Sequence, residues 1–92
     1  MQRIDKWLFF ARIVKSRSRA AKAVMDGQVR VNREKVTKPA TEVGVGDIIT
    51  LALRGRVRVL KVLGFSHRRG PAPEAELLYQ DLSAAQKHVP KP

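Results

Sequence analysis

The order of apolar and polar residues in the first third of the chain predicts two helices. Between residues 3 and 14, apolar side chains recur at steps of three and four, so one stripe of a helix is apolar. A second helix is predicted for residues 17 to 26, where Ser16 or Ser18 supplies the capping oxygen and Gly27 follows as the stop. The two helices are joined by a short turn, so they can pack closely together.

After Gly27 the period of the apolar residues changes to two, which predicts short strands. Residues 28 to 31 alternate, with the valines inward. Asn32 and the arginine after it form a turn to a returning strand at 35–37. A loop bounded by proline and glycine is predicted at 39–46.

Two further strands are predicted in the middle of the chain, at residues 48–53 and 57–65. The second begins with Val57 and Val59 inward, but its later apolar residues occupy the opposite side. We therefore expect a bulge or burial on both faces of this strand.

The C-terminal part predicts a third helix. Pro73 suits the first helical position, and the acidic residues after it suit the first turn. The order of elements predicts an α+β domain over residues 1–86, with two N-terminal helices packed on a short, mostly antiparallel sheet. We expect residues 87–92 to form a flexible tail. The apolar stripe of the third helix consists of Leu77, Leu78, Leu82 and Ala85.

Composition excludes several classes of protein. The 92 residues allow one small domain, and the 43% apolar content is enough for one modest core. No apolar run approaches the roughly 18 residues of a membrane span, and the chain start lacks the pattern of a signal peptide. With no cysteine and only two distant histidines, the sequence predicts no catalytic site, no metal and no cofactor. These features fit a cytoplasmic protein.

Charge adds the strongest functional signal. The formal net charge is +11, and residues 1–38 carry eleven basic and three acidic side chains, so most of the excess lies there. A solvated basic face that shields apolar surface is the simpler interpretation. However, such concentrated charge repels itself, which favours a polyanion as the normal partner. The densest cluster interleaves two serines with Arg12, Lys15, Arg17, Arg19 and Lys22.

Other candidate contacts lie outside this cluster. Arg30, Asn32 and Lys35 extend the basic character onto the first hairpin, although a polar outer strand face explains them equally well. The aromatic residues of the first helix are typical of a core rather than of base stacking. A second basic group is better explained by solubility of its hairpin, and it consists of Arg54, Arg56 and Arg58.

Three motifs together resemble the RNA-binding domain family first named for small-subunit ribosomal protein S4. They are an Arg-Ile-Asp opening at residues 3–5, a Ser-Arg-Ser-Arg helix start at 16–19, and Gly-Gln-Val-Arg-Val-Asn at 27–32. The resemblance implies that the two helices and the adjoining strands form a surface for structured RNA. Where the family commonly has glycine after the asparagine, this chain has Arg33.

Further residues narrow the resemblance to the fifteen-kilodalton heat-shock proteins of bacteria. These are Trp7, the Lys-Ser-Arg step at 15–17, and the segment 68–79. The resemblance implies binding to ribosomal RNA on free large ribosomal subunits that carry stalled peptidyl-tRNA, for rescue or recycling. A related short protein supports carboxy-terminal tailing on large subunits instead. Members of the heat-shock group continue into a long basic extension, so we expect contacts from such an extension to be missing here.

The predicted function is therefore a non-catalytic RNA-binding module; the sequence leaves its oligomeric state open and favours a monomer. Two alternatives stay open, a DNA-binding or nucleoid-type protein and a module for membrane surfaces or protein partners. Basic side chains would neutralise phosphates, the serines would present the helix start, and the asparagine would reach a sugar or base edge. The predicted contacts are Arg3, Lys6, Arg12, Lys15, Ser16, Arg17, Ser18, Arg19, Lys22, Arg30, Asn32 and Lys35.

Overall fold

Two consecutive helices, a run of five strands and a short third helix follow the first strand of the chain, and the computed structural model describes residues 1–53 and 55–83. The α+β class predicted from the sequence is confirmed. In chain order the elements are β1 (Gln2–Arg3), α1 (Ile4–Phe10), α2 (Arg17–Met25), β2 (Val29–Val31), β3 (Glu34–Val36), β4 (Glu42–Val43), β5 (Ile48–Leu53), β6 (Arg56–Val62), α3 (Ala72–Ala75), a 3-10 turn (Glu76–Leu78) and β7 (Tyr79–Asp81).

The main sheet has five strands in the order β3-β2-β5-β6-β7, and each neighbouring pair is antiparallel. Residues opposite each other on paired strands share a face, so the register assigns each side chain to a side. Val29 lies opposite Leu51, and Ile49 opposite Leu60. These four residues are fully buried, and they share one hydrophobic core with Trp7 of α1 and with apolar residues of α2. The helices therefore cover one face of the sheet.

The first helix is shorter than its pattern predicts, because the chain turns at Arg12. This residue has φ of 60°, and its N–H donates to the Phe9 carbonyl at 3.1 Å. The N–H of Ile13 donates to the Leu8 carbonyl at 3.0 Å. This pair of bonds is the Schellman arrangement that closes a helix, with arginine at the place where glycine is usual. The apolar pattern continues to residue 14 because this turn is itself packed on the core.

The observed bounds of the second helix, Arg17–Met25, agree closely with the predicted 17 to 26. The Ser16 hydroxyl accepts from the Arg19 N–H at 3.1 Å, so Ser16 rather than Ser18 is the cap. At the other end Gly27 has φ of 77°, and its N–H donates to the Val24 carbonyl at 3.0 Å. Short-range chemistry thus fixes both ends of α2.

The predicted loop at 39–46 contains a strand that the sequence analysis missed. Its residues Glu42 and Val43 pair with Arg3 and Gln2, and carbonyls just before them accept from the first N–H groups of α1. The Thr41 carbonyl, for example, accepts from Ile4 at 2.7 Å. Two-residue strands leave no periodic signal, which is why this pairing was not predicted.

Strand β6 is shorter than predicted and runs without a bulge. It pairs continuously with β5 and ends at Val62. Val57, predicted inward, is 56% exposed, whereas Leu60 and Val62 lie on the helix-covered face. Val59 lies on the opposite face and is also buried, so burial on both faces is the correct alternative.

The third helix is much shorter than predicted. This helical segment ends at Leu78, and the next three residues form β7 along the free edge of β6. Edge pairing and the contact of Tyr79 with Trp7, at 6.4 Å between ring centroids, outweigh the helical pattern. Leu77 is consequently 73% exposed. Ala85, the predicted boundary at 86 and the predicted tail lie outside the described residues. None of the helices within 1–53 and 55–83 is long and apolar enough to cross a membrane.

The β2–β3 hairpin turn generates a stability prediction. Asn32 and Arg33 both have positive φ, 51° and 76°, which is the two-residue turn that favours Asn-Gly. We expect Arg33→Gly to stabilise the protein by about 0.5 kcal/mol, because glycine removes a strain of about 1 kcal/mol and the gain is only partly offset by chain entropy. Urea denaturation measures the change. Arg33→Ala keeps the strained backbone and is the control; equal stabilisation by both variants would contradict the explanation.

Candidate nucleic-acid interface

A buried carboxylate, that of Asp5, organises the N-terminal part of the surface. Asp5 is 4% exposed and accepts two bonds from Arg3, from Nε at 3.1 Å and from Nη2 at 3.0 Å. Its Oδ2 also accepts from Arg17 Nη2 at 3.5 Å, and its Oδ1 from the Lys6 N–H at 2.8 Å. One carboxylate therefore joins β1, the first turn of α1 and the first turn of α2.

The sequence analysis did not foresee this role of Asp5. Its helix-dipole position was visible, but the partner Arg17 lies twelve residues away and is reached only through the turn between the helices. The side chains of Arg3 and Arg17 remain 43% and 46% exposed. Each guanidinium has five N–H donors, so each keeps donors for an anion on its outer side. Asp5 thus holds two predicted contacts in fixed positions without burying them.

The first turn of α2 supplies neutral donors beside these cations. The first N–H groups of a helix lack intrahelical acceptors, and the Ser16 hydroxyl occupies that of Arg19. Ser18 is exposed in the same turn. Exposed hydroxyl and N–H groups at a helix start bind phosphate oxygens, with the helix dipole favouring the negative charge.

A second row of cations follows α2 along another side. Arg19 and Lys22 are three residues apart and lie on one side of the helix, and Lys15 precedes its cap at Ser16. They form one wall of a groove whose opposite wall comes from β6 and contains Arg56 and Arg58. The sequence analysis assigned these two arginines to solubility. Strand register instead places them on the helix-covered face, opposite Leu53 and Leu51.

Two carboxylates partly neutralise the groove. Lys22 pairs with Asp26 at 3.2 Å, and Arg58 pairs with Asp81 at 3.0 Å. Burial opposes the charge of Asp81, but bonds from Ser83 and from Arg58 outweigh it and lower the pKa of the Asp81 carboxyl. The remaining groove cations, Lys15, Arg19 and Arg56, have no carboxylate within 4.0 Å in the described part of the chain.

Two predicted contacts on the first hairpin lie away from the α2 surface. Arg30 is opposite Lys35 on β3 and Thr50 on β5, so all three share the face turned away from the helices. The Lys35 side chain runs back beside Gly27. The expectation that Arg30 continues the surface of the second helix does not agree with this register.

Three other predicted contacts are used within the protein or stand apart. The Asn32 amide accepts from the Ile48 N–H at 2.9 Å and donates to Asp47 at 3.1 Å, so it fixes the hairpin. Arg12 Nε donates to the Gly70 carbonyl at 2.7 Å. The Lys6 side chain is half-buried on α1, next to the Asp5 bridge.

Arg69 supports the turn between the helices, and the sequence analysis missed it. Its guanidinium donates to the carbonyls of Phe9, at 3.2 Å, and Val14, at 3.3 Å, and lies 4.9 Å from the centroid of the Phe9 ring. Phe9 also contacts Phe10, with ring centroids 5.8 Å apart. Phe9 therefore helps to support this turn through Arg69, whereas Phe10 packs against the core as the sequence analysis expected.

The arrangement suits binding of an extended anion. It combines guanidinium groups held by Asp5, exposed lysines and helix-start donors, which are the groups that contact nucleic-acid backbones. Within the described residues, no three side chains of the metal-binding types come together. Asp5 and Asp26 offset only part of the positive charge of this surface, so its net charge stays strongly positive.

Comparison with known proteins identifies the family. The S4 domain family model matches residues 2–49. The chain is 36% identical over 85 residues to a heat shock protein 15 homolog of Haemophilus influenzae, covering 92% of this chain and 64% of that protein. It is 35% identical over 79 residues to heat shock protein 15 of Escherichia coli, covering 86% and 59%. The chain thus spans about 60% of the length of these curated relatives.

A solved structure extends this similarity to the fold. A structure of Vibrio cholerae heat shock protein 15, described as trimeric, aligns with a TM-score of 0.84 at 36% identity. The alignment covers 91% of this chain and 86% of that one, so it includes the sheet beyond the S4 match. The chain therefore belongs to the S4 domain family and, within it, to the group of heat shock protein 15 relatives.

Proposed function

We propose that this chain is a non-catalytic RNA-binding protein that recognises ribosomal RNA of the large subunit. Its target is the free large subunit carrying stalled peptidyl-tRNA, and its role is rescue or recycling of that subunit in the cytoplasm. The observation that carries the proposal is the Asp5 bridge, which fixes Arg3 and Arg17 beside the cationic first turn of α2. Membership of the S4 domain family and relatives named heat shock protein 15 support it.

The geometry of this surface favours structured RNA as the partner over polyanions in general. A-form RNA presents phosphates and 2′-hydroxyls across its minor groove and is recognised mainly through them. Guanidinium groups held in position, exposed serine and helix-start N–H groups match those two kinds of acceptor. A freely moving set of lysines would bind any polyanion, whereas fixed donors select a particular spacing of phosphates.

Fractionation of ribosomes tests the biological target. We expect the protein to sediment in sucrose gradients with free large subunits, to crosslink to their ribosomal RNA, and to leave that fraction after ribonuclease treatment. Large subunits that carry stalled peptidyl-tRNA should bind more of the protein than large subunits without peptidyl-tRNA. Preferential retention on duplex DNA or on anionic vesicles would support one of the other two classes of partner instead.

Neutralising the row of cations on α2 tests the surface. We expect the triple variant Lys15→Gln, Arg19→Gln and Lys22→Gln to weaken binding to structured RNA, because up to three phosphate contacts disappear. If the wild-type protein neutralises roughly five phosphates, the slope of log affinity against log salt is about −3.5 to −4.5. In the triple variant it should become shallower by about 2 to 3. Titrations at several salt concentrations measure both quantities.

A control with the same change of charge separates position from total charge. Arg33, Lys38 and Lys61 are exposed and lie elsewhere, and their joint replacement by glutamine also removes three positive charges. This variant should keep most of the wild-type salt dependence. Equal losses in the two triple variants would show that the α2 surface has no special role.

Sedimentation in the same buffers reports the oligomeric state, for which the sequence favours a monomer and the Vibrio relative a trimer.

Asp5→Asn tests the bridge itself. The substitution raises the net charge by one, so charge counting predicts tighter RNA binding. We expect weaker binding, because Arg3 and Arg17 lose the charged acceptor that holds them, and a stability loss of about 1–2 kcal/mol. Affinities should be compared at a temperature where circular dichroism shows both proteins folded.

The matched control is Asp26→Asn, which makes the same change of charge at an exposed position. It frees Lys22 from its ion pair, so RNA binding should become equal to or slightly tighter than that of the wild type. Tighter binding by both variants would mean that Asp5 acts only as one more negative charge.

A further inference from the structure

The groove between α2 and the β5–β6 hairpin is large enough to hold a ligand. Its volume is about 710 Å³, within the usual range of roughly 300–1,000 Å³ for small-molecule sites. Lys15 and Arg19 line one wall and Arg56 the other, and none of these three has a carboxylate partner in the described part of the chain. Mutual repulsion across the groove is relieved when an anion enters it.

The floor of the groove is apolar, unlike its walls. Ile13, Val14 and Leu53 form much of it, and Ile13 and Leu53 are only partly buried against the core. Gln28, which is half-buried, also lines the groove and carries an amide. An apolar floor with one amide and cationic walls matches the parts of a nucleotide, which has a flat base with polar edges and a charged phosphate.

We infer that this groove takes one unpaired nucleotide of the bound RNA. Its base lies on Ile13 and Leu53, and its phosphate lies between Arg19 and Arg56. Unpaired bases of RNA can be splayed out of helical stacks and recognised by stacking on their faces and by hydrogen bonds to their edges. Here the apolar floor takes the face of the base and the Gln28 amide its edge, so this site adds local recognition to the phosphate contacts of α2. The inference rests on the proposed RNA binding and deepens it.

The walls also explain why a nucleotide fits better than an acidic peptide. Carboxylates already occupy Lys22 and Arg58 within the groove, at 3.2 Å and 3.0 Å, so the cations left over stand on opposite walls. A phosphate has several acceptor oxygens and can bind guanidinium groups from two sides at once. An acidic peptide is the competing ligand, and the experiment includes it.

The test compares two RNA hairpins, one with a single bulged nucleotide and one fully paired in its stem. We expect the wild-type protein to prefer the bulged hairpin. Arg56→Gln should weaken binding to the bulged hairpin by about tenfold, the loss of one charge-assisted hydrogen bond, and leave the paired hairpin almost unchanged. Arg33→Gln removes the same charge from an exposed turn away from the groove and should preserve the preference.

Methyl signals of Ile13 and Leu53 in nuclear magnetic resonance spectra provide the second measurement. They should shift when the bulged hairpin is added, and not when a glutamate-rich peptide is added. Equal affinities for both hairpins, equal effects of Arg56→Gln and Arg33→Gln, or methyl signals that stay fixed would overturn the groove proposal while leaving RNA binding intact. A wild-type protein that binds neither hairpin would overturn both proposals. Methyl shifts with the peptide alone would assign the groove to a protein partner.

Discussion

The buried carboxylate of Asp5 is the interaction on which the rest of the surface depends. A charge that is 4% exposed is tolerated only with charged partners, and Asp5 has Arg3 and Arg17. Because these partners come from β1 and α2, satisfying the carboxylate also fixes the two helices relative to each other. The same bonds leave the outer donors of both guanidinium groups facing solvent. One structural requirement therefore produces an ordered cationic surface.

The turn between the helices is held by a further arginine, Arg69. Arg69 donates to carbonyls before and after the turn, and Arg12 returns a bond to the segment that carries Arg69. These reciprocal bonds explain how a chain of net charge +11 keeps a tight turn within its basic region. Part of the positive charge is used to build the surface, and only the remainder is available to a ligand. Counting basic residues therefore overstates the number of contacts.

Features that depend on neighbouring residues were predictable from the sequence, and features that depend on distant ones were not. The Ser16 cap, the stop at Gly27 and the alternating valines of β2 each follow from local chemistry. The Asp5–Arg17 bond, the β1–β4 pair and the end of the third helix at Leu78 depend on contacts made only after folding. The same holds for the candidate site: the sequence did not show that Arg56 lies on the helix-covered face, because that follows only from the pairing of β5 with β6.

The central claim is that Asp5 fixes arginines on the surface that RNA contacts. The most direct measurement is a nuclear magnetic resonance titration with a stem-loop RNA that follows the Nε–H signals of the arginines. In the free protein, Arg3 Nε–H donates to Asp5 and should exchange with solvent more slowly than Arg33 Nε–H. On addition of RNA, the signals of Arg3, Arg17 and Arg19 should shift together. Rapid exchange at Arg3, or shifts confined to the Arg30 and Lys35 face, would contradict the account.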